Sequence, residues 1–351
     1  AVGRLAVPFA DTALERFYQK RQRVMQWCWG SSAPPSTGPD TITTATGADL
    51  IAAGKASGTI AGAASTQLWR INGVFPELYT YAHFHTPSSP ATTPRVIVLH
   101  QGHDVMYQGA LATCAEYFLA RGYHVVNMAM PCWAPGNGVT GSPVSVALQS
   151  GAPVNVESHA DLGTLHATGR DVRNPIRLYL DPVIRVINRL VDTLAFGRRV
   201  YLCGLSGGGW TTHMIAALDT RIRLSYPWAG FMPFDMPCWG VSAGDWEQTD
   251  GRTLYAVASV RELFAMGALE GRRVLQGLNN LDYAFWYDVT GDPGRPNQKA
   301  AVDGYVADVQ ALLGASGTFS LYVDTSTADM QHTISPTSCG VIHADILAND
   351  P

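Results

Sequence analysis

Residues 199–210 read RVYLCGLSGGGW, and this stretch decides the fold. Arg199 to Cys203 is an apolar run too short for a core helix, so it reads as a strand buried on both faces. Gly204 to Gly208 then matches G-x-S-x-G, and a helical pattern runs from about Trp210 to Leu218. Between a strand and a helix, such a turn pushes the Ser206 hydroxyl out above the sheet. It also leaves the Gly207 amide at a helix start, where an unsatisfied N–H and the positive dipole end can meet a developing negative charge. The plainer reading of the same letters is a Gly-rich turn that only lets helix and sheet pack. No GK[ST] ending follows, which argues against a phosphate loop.

Outward from this turn the chain alternates. Arg95 to His100 is a second β-branched run, followed by QGHD, a helix over 109–121 and a strand from Tyr123 to Met128, which together make a βαβ unit. Gln67–Val74 and Leu78–His85 read as a hairpin. Asp181 to Leu194 reads as a helix with Pro182 in its first turn. Past the serine turn come a strand at Ile222–Ala229, a helix at Thr253–Leu269 and a strand at Arg273–Leu278. A helix at Val302–Leu313, a strand at Phe319–Asp324 and a terminal helix at Cys339–Leu347 complete the series. This order predicts an α/β fold with a mostly parallel central sheet and helices on both faces. Residues 11–27 carry helical periodicity and a small, polar, Pro-rich surface loop follows, so residues 1–65 read as an N-terminal helical extension ahead of a catalytic domain at 66–351. Residues 134–170 lack strong periodicity and read as a loop inserted over one sheet edge.

The 351 residues are 46% hydrophobic and 15% charged, enough to bury a large core and unlike a disordered chain. Net charge is −4 with no dense Lys/Arg run, so no nucleic-acid partner is expected. Gly, Pro, Arg or Asp interrupts every candidate run of about 18 apolar residues, so no membrane-spanning helix is expected. A start at Ala1 fits an exported form that has lost a signal peptide or a trimmed chain, with no preference between them. Oligomeric state is not legible. Six dispersed cysteines include no CxxC pair. Met130-Pro131-Cys132-Trp133 recurs as Met236-Pro237-Cys238-Trp239, which allows a Cys132–Cys238 disulfide, with two buried thiols as the plainer alternative.

A serine hydroxyl is a weak nucleophile near neutral pH, so a base must take its proton and a carboxylate should orient that base. His332, eight residues past Asp324, is the expected base, whereas His343 falls in the terminal helix and reads as a packed or solvent-facing residue. Asp282, just past the strand RVLQGL, is the expected acid, with Asp288, Asp292, Asp245 and Glu247 as alternatives. A second oxyanion donor is expected from the His103 amide, less so from Gly102, in the turn after RVIVLH. His100 with His103, and His83 with His85, lack a carboxylate at a fitting offset, so no metal or other cofactor is expected. Trp133, Trp210, Trp239 and Trp286 fall near the predicted sheet rim and form either a substrate-binding wall or part of the core.

The QGH turn, the GLSGGGW elbow, the late aspartate and the final-loop histidine resemble the α/β-hydrolase superfamily over roughly residues 67–351. The Gly102 turn departs from the HGGG run of many carboxylesterases. The resemblance implies a serine hydrolase acting on small-molecule carboxylic esters through an acyl-enzyme. In that cycle Ser206 is the nucleophile, His332 the base, Asp282 the acid, and the Gly207 and His103 amides hold the oxyanion. Peptidase, amidase or acyltransferase chemistry on the same triad, and a noncatalytic binding role for the fold, are the rival readings.

Overall fold

The computed structural model describes residues 13–46, 60–102, 109–132, 144–167, 174–236, 246–249, 252–280, 282, 284, 298–326 and 331–350. The chain opens with helix α1 (Ala13–Trp29) and three strands, β1 (Thr41–Ala45), β2 (Ala63–Asn72) and β3 (Tyr79–Pro87), each antiparallel to the next. Strand β4 (Val96–His100), helix α2 (Gly109–Leu119) and strand β5 (His124–Met128) form the first parallel unit. A short antiparallel pair, β6 (Val144–Val146) and β7 (Val154–Val156), then leads to helices α3 (Leu162–Ala167) and α4 (Arg177–Asn188). Strand β8 (Val200–Leu205), helix α5 (Gly207–Leu218) and strand β9 (Leu224–Trp228) follow. Three helices come next, α6 (Trp246–Thr249), α7 (Arg252–Val257) and α8 (Val260–Ala268). Strand β10 (Arg273–Asn279), helix α9 (Lys299–Leu313), strand β11 (Thr318–Asp324) and helix α10 (Pro336–Asn349) complete the described chain.

The sheet order is β1-β2-β3-β5-β4-β8-β9-β10-β11, and every pairing from β5 to β11 is parallel. Parallel strands joined by crossover helices are covered on both faces, so they carry continuous apolar runs instead of alternation. Accordingly β4, β8 and β9 are buried at every residue. The parallel sheet with flanking helices agrees with the sequence reading. At its carboxyl edge the parallel strands β4, β8, β9, β10 and β11 end in that order, the place expected for ligand sites in open α/β sheets. Among the described residues no helix is long and apolar enough to cross a membrane.

Four local expectations are corrected. The segment read as a surface loop after α1 supplies β1, a ninth strand whose Ile42 pairs with Trp69, so the residues before 65 are not purely helical. The run at Thr253–Leu269 is two helices, because Ser259 caps α8 and exchanges hydrogen bonds with Glu262 in an S-x-x-E box. The helix expected to start at Asp181 begins at Arg177, and Pro182 lies inside it. The expected loop at 134–170 contains β6, β7 and α3 where it is described.

Helix α1 shares the core of the main body: Phe17, Val24, Met25 and Cys28 are buried in the same cluster as strands β4 and β8. Arg21, only 3% exposed, donates through Nε to the Ala217 carbonyl (2.9 Å) and through Nη2 to the Met266 carbonyl (3.2 Å). Arg272 reaches the neighbouring Ala216 carbonyl at 2.6 Å and also the Met266 carbonyl. The last carbonyls of a helix have no intrahelical donor and carry the negative dipole end, so two guanidinium groups close the C-termini of α5 and α8. Burial lowers the affinity of Arg21 for its proton, and Glu270, 3.7 Å away, opposes that effect. Arg21→Met keeps the apolar stem and removes the donors. It is expected to lower the unfolding free energy by about 2–3 kcal/mol in a chemical-denaturation titration.

Candidate active site

Strand β8 ends at Leu205, and Ser206 turns the chain with φ 59° and ψ −128°, a left-handed conformation that an L residue holds only at a cost of about 1–3 kcal/mol. The turn is held because the Ser206 amide donates to the Trp228 carbonyl at 3.0 Å, and the Trp210 amide donates to the Ser206 carbonyl at 3.0 Å. Gly207 is the first residue of α5, so its N–H is one that the helix itself cannot satisfy. A Cβ on Gly208 would lie 1.9 Å from the His100 carbonyl oxygen, so α5 can press onto the end of β4 only with glycine there.

The turn after β4 lies against this elbow. A Cβ on Gly102 would sit 2.7 Å from Ser206 Cβ and 3.1 Å from the Gly207 nitrogen. His103, whose amide is the expected second donor, lies outside the described residues. Gly102→Ala must displace either the serine or the turn. We expect any turnover that depends on Ser206 to fall on the order of 10²-fold with a stability loss of about 1–3 kcal/mol, measured as kcat and melting temperature.

Asp282 and His332 meet at the same edge of the sheet. His332 Nδ1 is 3.0 Å from Asp282 Oδ1 and 2.9 Å from Oδ2. A carboxylate only accepts, so Nδ1 carries the ring hydrogen, and in the neutral imidazole Nε2 is the acceptor. Asp282 is 1% exposed and is itself aimed by Asn279 Nδ2 (3.2 Å) and the Ala284 amide (2.8 Å). An open groove of about 540 Å³ lies alongside, lined by Gly109, Ala110 and Thr113 on one side and residues 331–336 on the other.

The loop bearing His332 is anchored by a residue that the sequence reading used only as a strand end. Asp324, fully buried, accepts from the Ser326 amide (2.8 Å), the Ser326 hydroxyl (2.6 Å), and the Ser335 and Ser338 hydroxyls, so both ends of the loop close on one carboxylate. Its carbonyl accepts from the Asn280 amide at 2.9 Å, which ties the loop to the turn that holds Asp282. Burial pushes the Asp324 carboxyl up, but the hydrogen bonds from the three serines outweigh it and the net shift is downward. A carboxyl with a depressed folded pKa stabilises above its unfolded value of about 3.9, and that contribution is lost as pH falls through the folded pKa. Asp324→Asn is therefore expected to cost about 1–3 kcal/mol at pH 7 and to flatten the loss of stability below pH 4, read from denaturation curves at a series of pH values.

Trp210 is fully buried, its indole N–H donating to the Tyr255 hydroxyl at 3.0 Å, so its ring has no accessible surface to offer a substrate. Trp133, Trp239, Trp286, Cys238, Asp245, Asp288 and Asp292 lie outside the described residues. Glu247 is buried 3.4 Å from His159 Nε2, within a different cluster from His332. His343 packs against Tyr117 and Phe118 and bonds the Tyr123 hydroxyl at 3.1 Å. Burial holds His100 near pKa 4 and His85 near 3, both neutral, and His85 Nδ1 bonds the Thr66 hydroxyl at 2.8 Å. Among the described residues no three His, Cys, Asp or Glu side chains are grouped to hold a metal. Asn279 and Asp324 are the residues that sequence reasoning missed. The signal was present in a polar pair at the ends of adjacent strands, whose register sets Asn279 opposite Asp324.

Neither a protein-family model nor a curated protein matches the sequence. Solved structures do match. Methylesterase BT1017 aligns with a TM-score of 0.56 at 14% identity over 95% of this chain and 62% of its own, so this chain spans less than two thirds of that protein. An acetyl xylan esterase from Paenibacillus sp. R4 aligns with a TM-score of 0.54 at 15% identity over 97% and 96% of the two chains. Acetyl xylan esterase 1 from Thermoanaerobacterium sp. JW/SL YS485 gives 0.53, 16%, 96% and 94%. Sequence identity this low carries the architecture and no more. With the sheet order and the positive-φ serine turn between β8 and α5, it establishes that this chain has the α/β-hydrolase fold.

Proposed function

We propose that the protein is a serine-dependent hydrolase that cleaves small carboxylic esters through an acyl-enzyme intermediate. The observation that carries this reading is the two-oxygen contact of Asp282 with His332 Nδ1, at the sheet edge where Ser206 is presented on a strained turn. The fixed tautomer leaves His332 Nε2 to take the Ser206 proton as Oγ attacks the ester carbonyl. Asp282 stabilises the imidazolium that forms. The Gly207 amide, with that of His103, donates to the tetrahedral oxyanion, and His332 returns the proton to the departing alcohol. Water, deprotonated by the same imidazole, then releases the acid. The three structural neighbours are named as esterases, which favours esters over amides.

A panel of p-nitrophenyl acetate, butyrate and octanoate set against the matching p-nitroanilides tests the reading. Ester cleavage with a burst of one nitrophenolate per protein is expected, with short acyl chains preferred. Anilide cleavage at a comparable rate would replace it with a peptidase or amidase reading, and no cleavage of either would favour a binding role.

A further inference from the structure

The sequence drew attention to Cys132 and Cys238, but the structure brings a different pair together. Cys114 on α2 and Cys339 on α10 both have no accessible surface, and their sulfurs lie 2.7 Å apart. This is well inside the contact distance of two unbonded sulfurs and about 0.6 Å beyond a covalent S–S bond, so a small approach of two packed helices would close it. Cys203 of β8, also fully buried, is a further hydrogen-bond partner of the Cys114 thiol. Any conformation that keeps α2 packed on α10 keeps this pair opposed, although the residues are 225 apart in sequence.

The position of the pair gives it a consequence. Cys339 lies in the first turns of α10, whose cap, Ser335, and third residue, Ser338, both bond Asp324 at the base of the His332 loop. Thr113, next to Cys114, lines the groove whose opposite wall is residues 331–336. We propose that Cys114 and Cys339 form an oxidisable pair that closes into a disulfide, stapling α2 to α10 beneath the His332 loop, with Cys203 remaining a thiol. With glutathione disulfide as oxidant, one cysteine thiolate attacks it and releases one glutathione thiolate. The second cysteine thiolate attacks that mixed disulfide, forming the intramolecular S–S bond and releasing the second glutathione. Two protein thiols are thereby oxidised, one glutathione disulfide is reduced to two glutathiones, and the protons leave with them. Because burial suppresses the thiolate form of Cys114 in the folded protein, closure belongs to folding or to transient opening.

The test refolds the full-length reduced chain in glutathione buffers running from fully reduced to mostly disulfide. Each sample is quenched in acid, alkylated under denaturing conditions, digested without reductant and mapped by mass spectrometry. A cross-linked peptide pair joining Cys114 to Cys339, two hydrogens lighter than the sum of its parts, with Cys203 alkylated, is expected at the oxidising end. Full alkylation of Cys114 and Cys339 at the most oxidising ratio, or a link from Cys114 to Cys203, would overturn the proposal. Oxidised protein is expected to melt several degrees above reduced protein, and Cys339→Ala is expected to abolish that difference. Equal melting of the two wild-type forms would remove the stapling role. None of these readouts needs esterase activity, so the linkage stands or falls apart from the function proposed above.

Discussion

Ser206→Ala is expected to lower the turnover of p-nitrophenyl esters by a factor on the order of 10⁴ or more, while the melting temperature stays within about a degree of the parent. The asymmetry follows from the surroundings of the side chain. The Ser206 hydroxyl makes no capping bond to its own helix, and the turn is held by backbone bonds to Trp228 and Trp210 that alanine preserves. Removing the oxygen therefore removes the proposed site of covalent attachment and little of the fold. An alanine variant that kept more than about one tenth of the rate would move the chemistry away from this turn.

Asp282→Asn is expected to lower kcat on the order of 10⁴-fold, because an amide facing His332 would donate to Nδ1 and drive the ring hydrogen onto Nε2. That tautomer cannot accept the serine proton. The variant also turns one acceptor of the Asn279 and Ala284 bonds into a donor, so a stability loss of about 1–3 kcal/mol accompanies the kinetic one. Rates and denaturation curves are to be measured on the same preparation. Glu247→Gln is the matched control: its carboxylate pairs with His159, so its kcat is expected to change less than about tenfold, whatever its stability cost. Reversed sensitivities, with Glu247→Gln inactive and Asp282→Asn active, would assign the acid elsewhere.

Much of this arrangement is legible in sequence because buried parallel strands are short apolar runs with few alternatives. RVIVLH, RVYLC and RVLQGL became β4, β8 and β10 within a residue or two, and the serine turn sits where the G-x-S-x-G letters put it. What escaped was set by partners distant in sequence. TITTA is polar and lies in a Pro-rich surround, and it is a strand only because Trp69 and its neighbours offer an edge to pair with. Ser259 and Glu262 carried a capping signal that the surrounding apolar run obscured. Asp324 read as the last residue of a strand, since no local pattern shows that serines at 326, 335 and 338 converge on it. Cys114 and Cys339 are likewise brought together only by helix packing, whereas the repeated MPCW tetrapeptide was conspicuous in the letters alone.

The most direct measurement is labelling of the native protein with an alkyl fluorophosphonate, in which the serine oxygen bonds phosphorus and fluoride leaves. One adduct per chain is expected, mapping to the peptide that contains Ser206, with the labelling rate falling at least about 10²-fold in His332→Ala. Rapid ester hydrolysis with no adduct, or an adduct on any other residue, would contradict the assignment of the nucleophile.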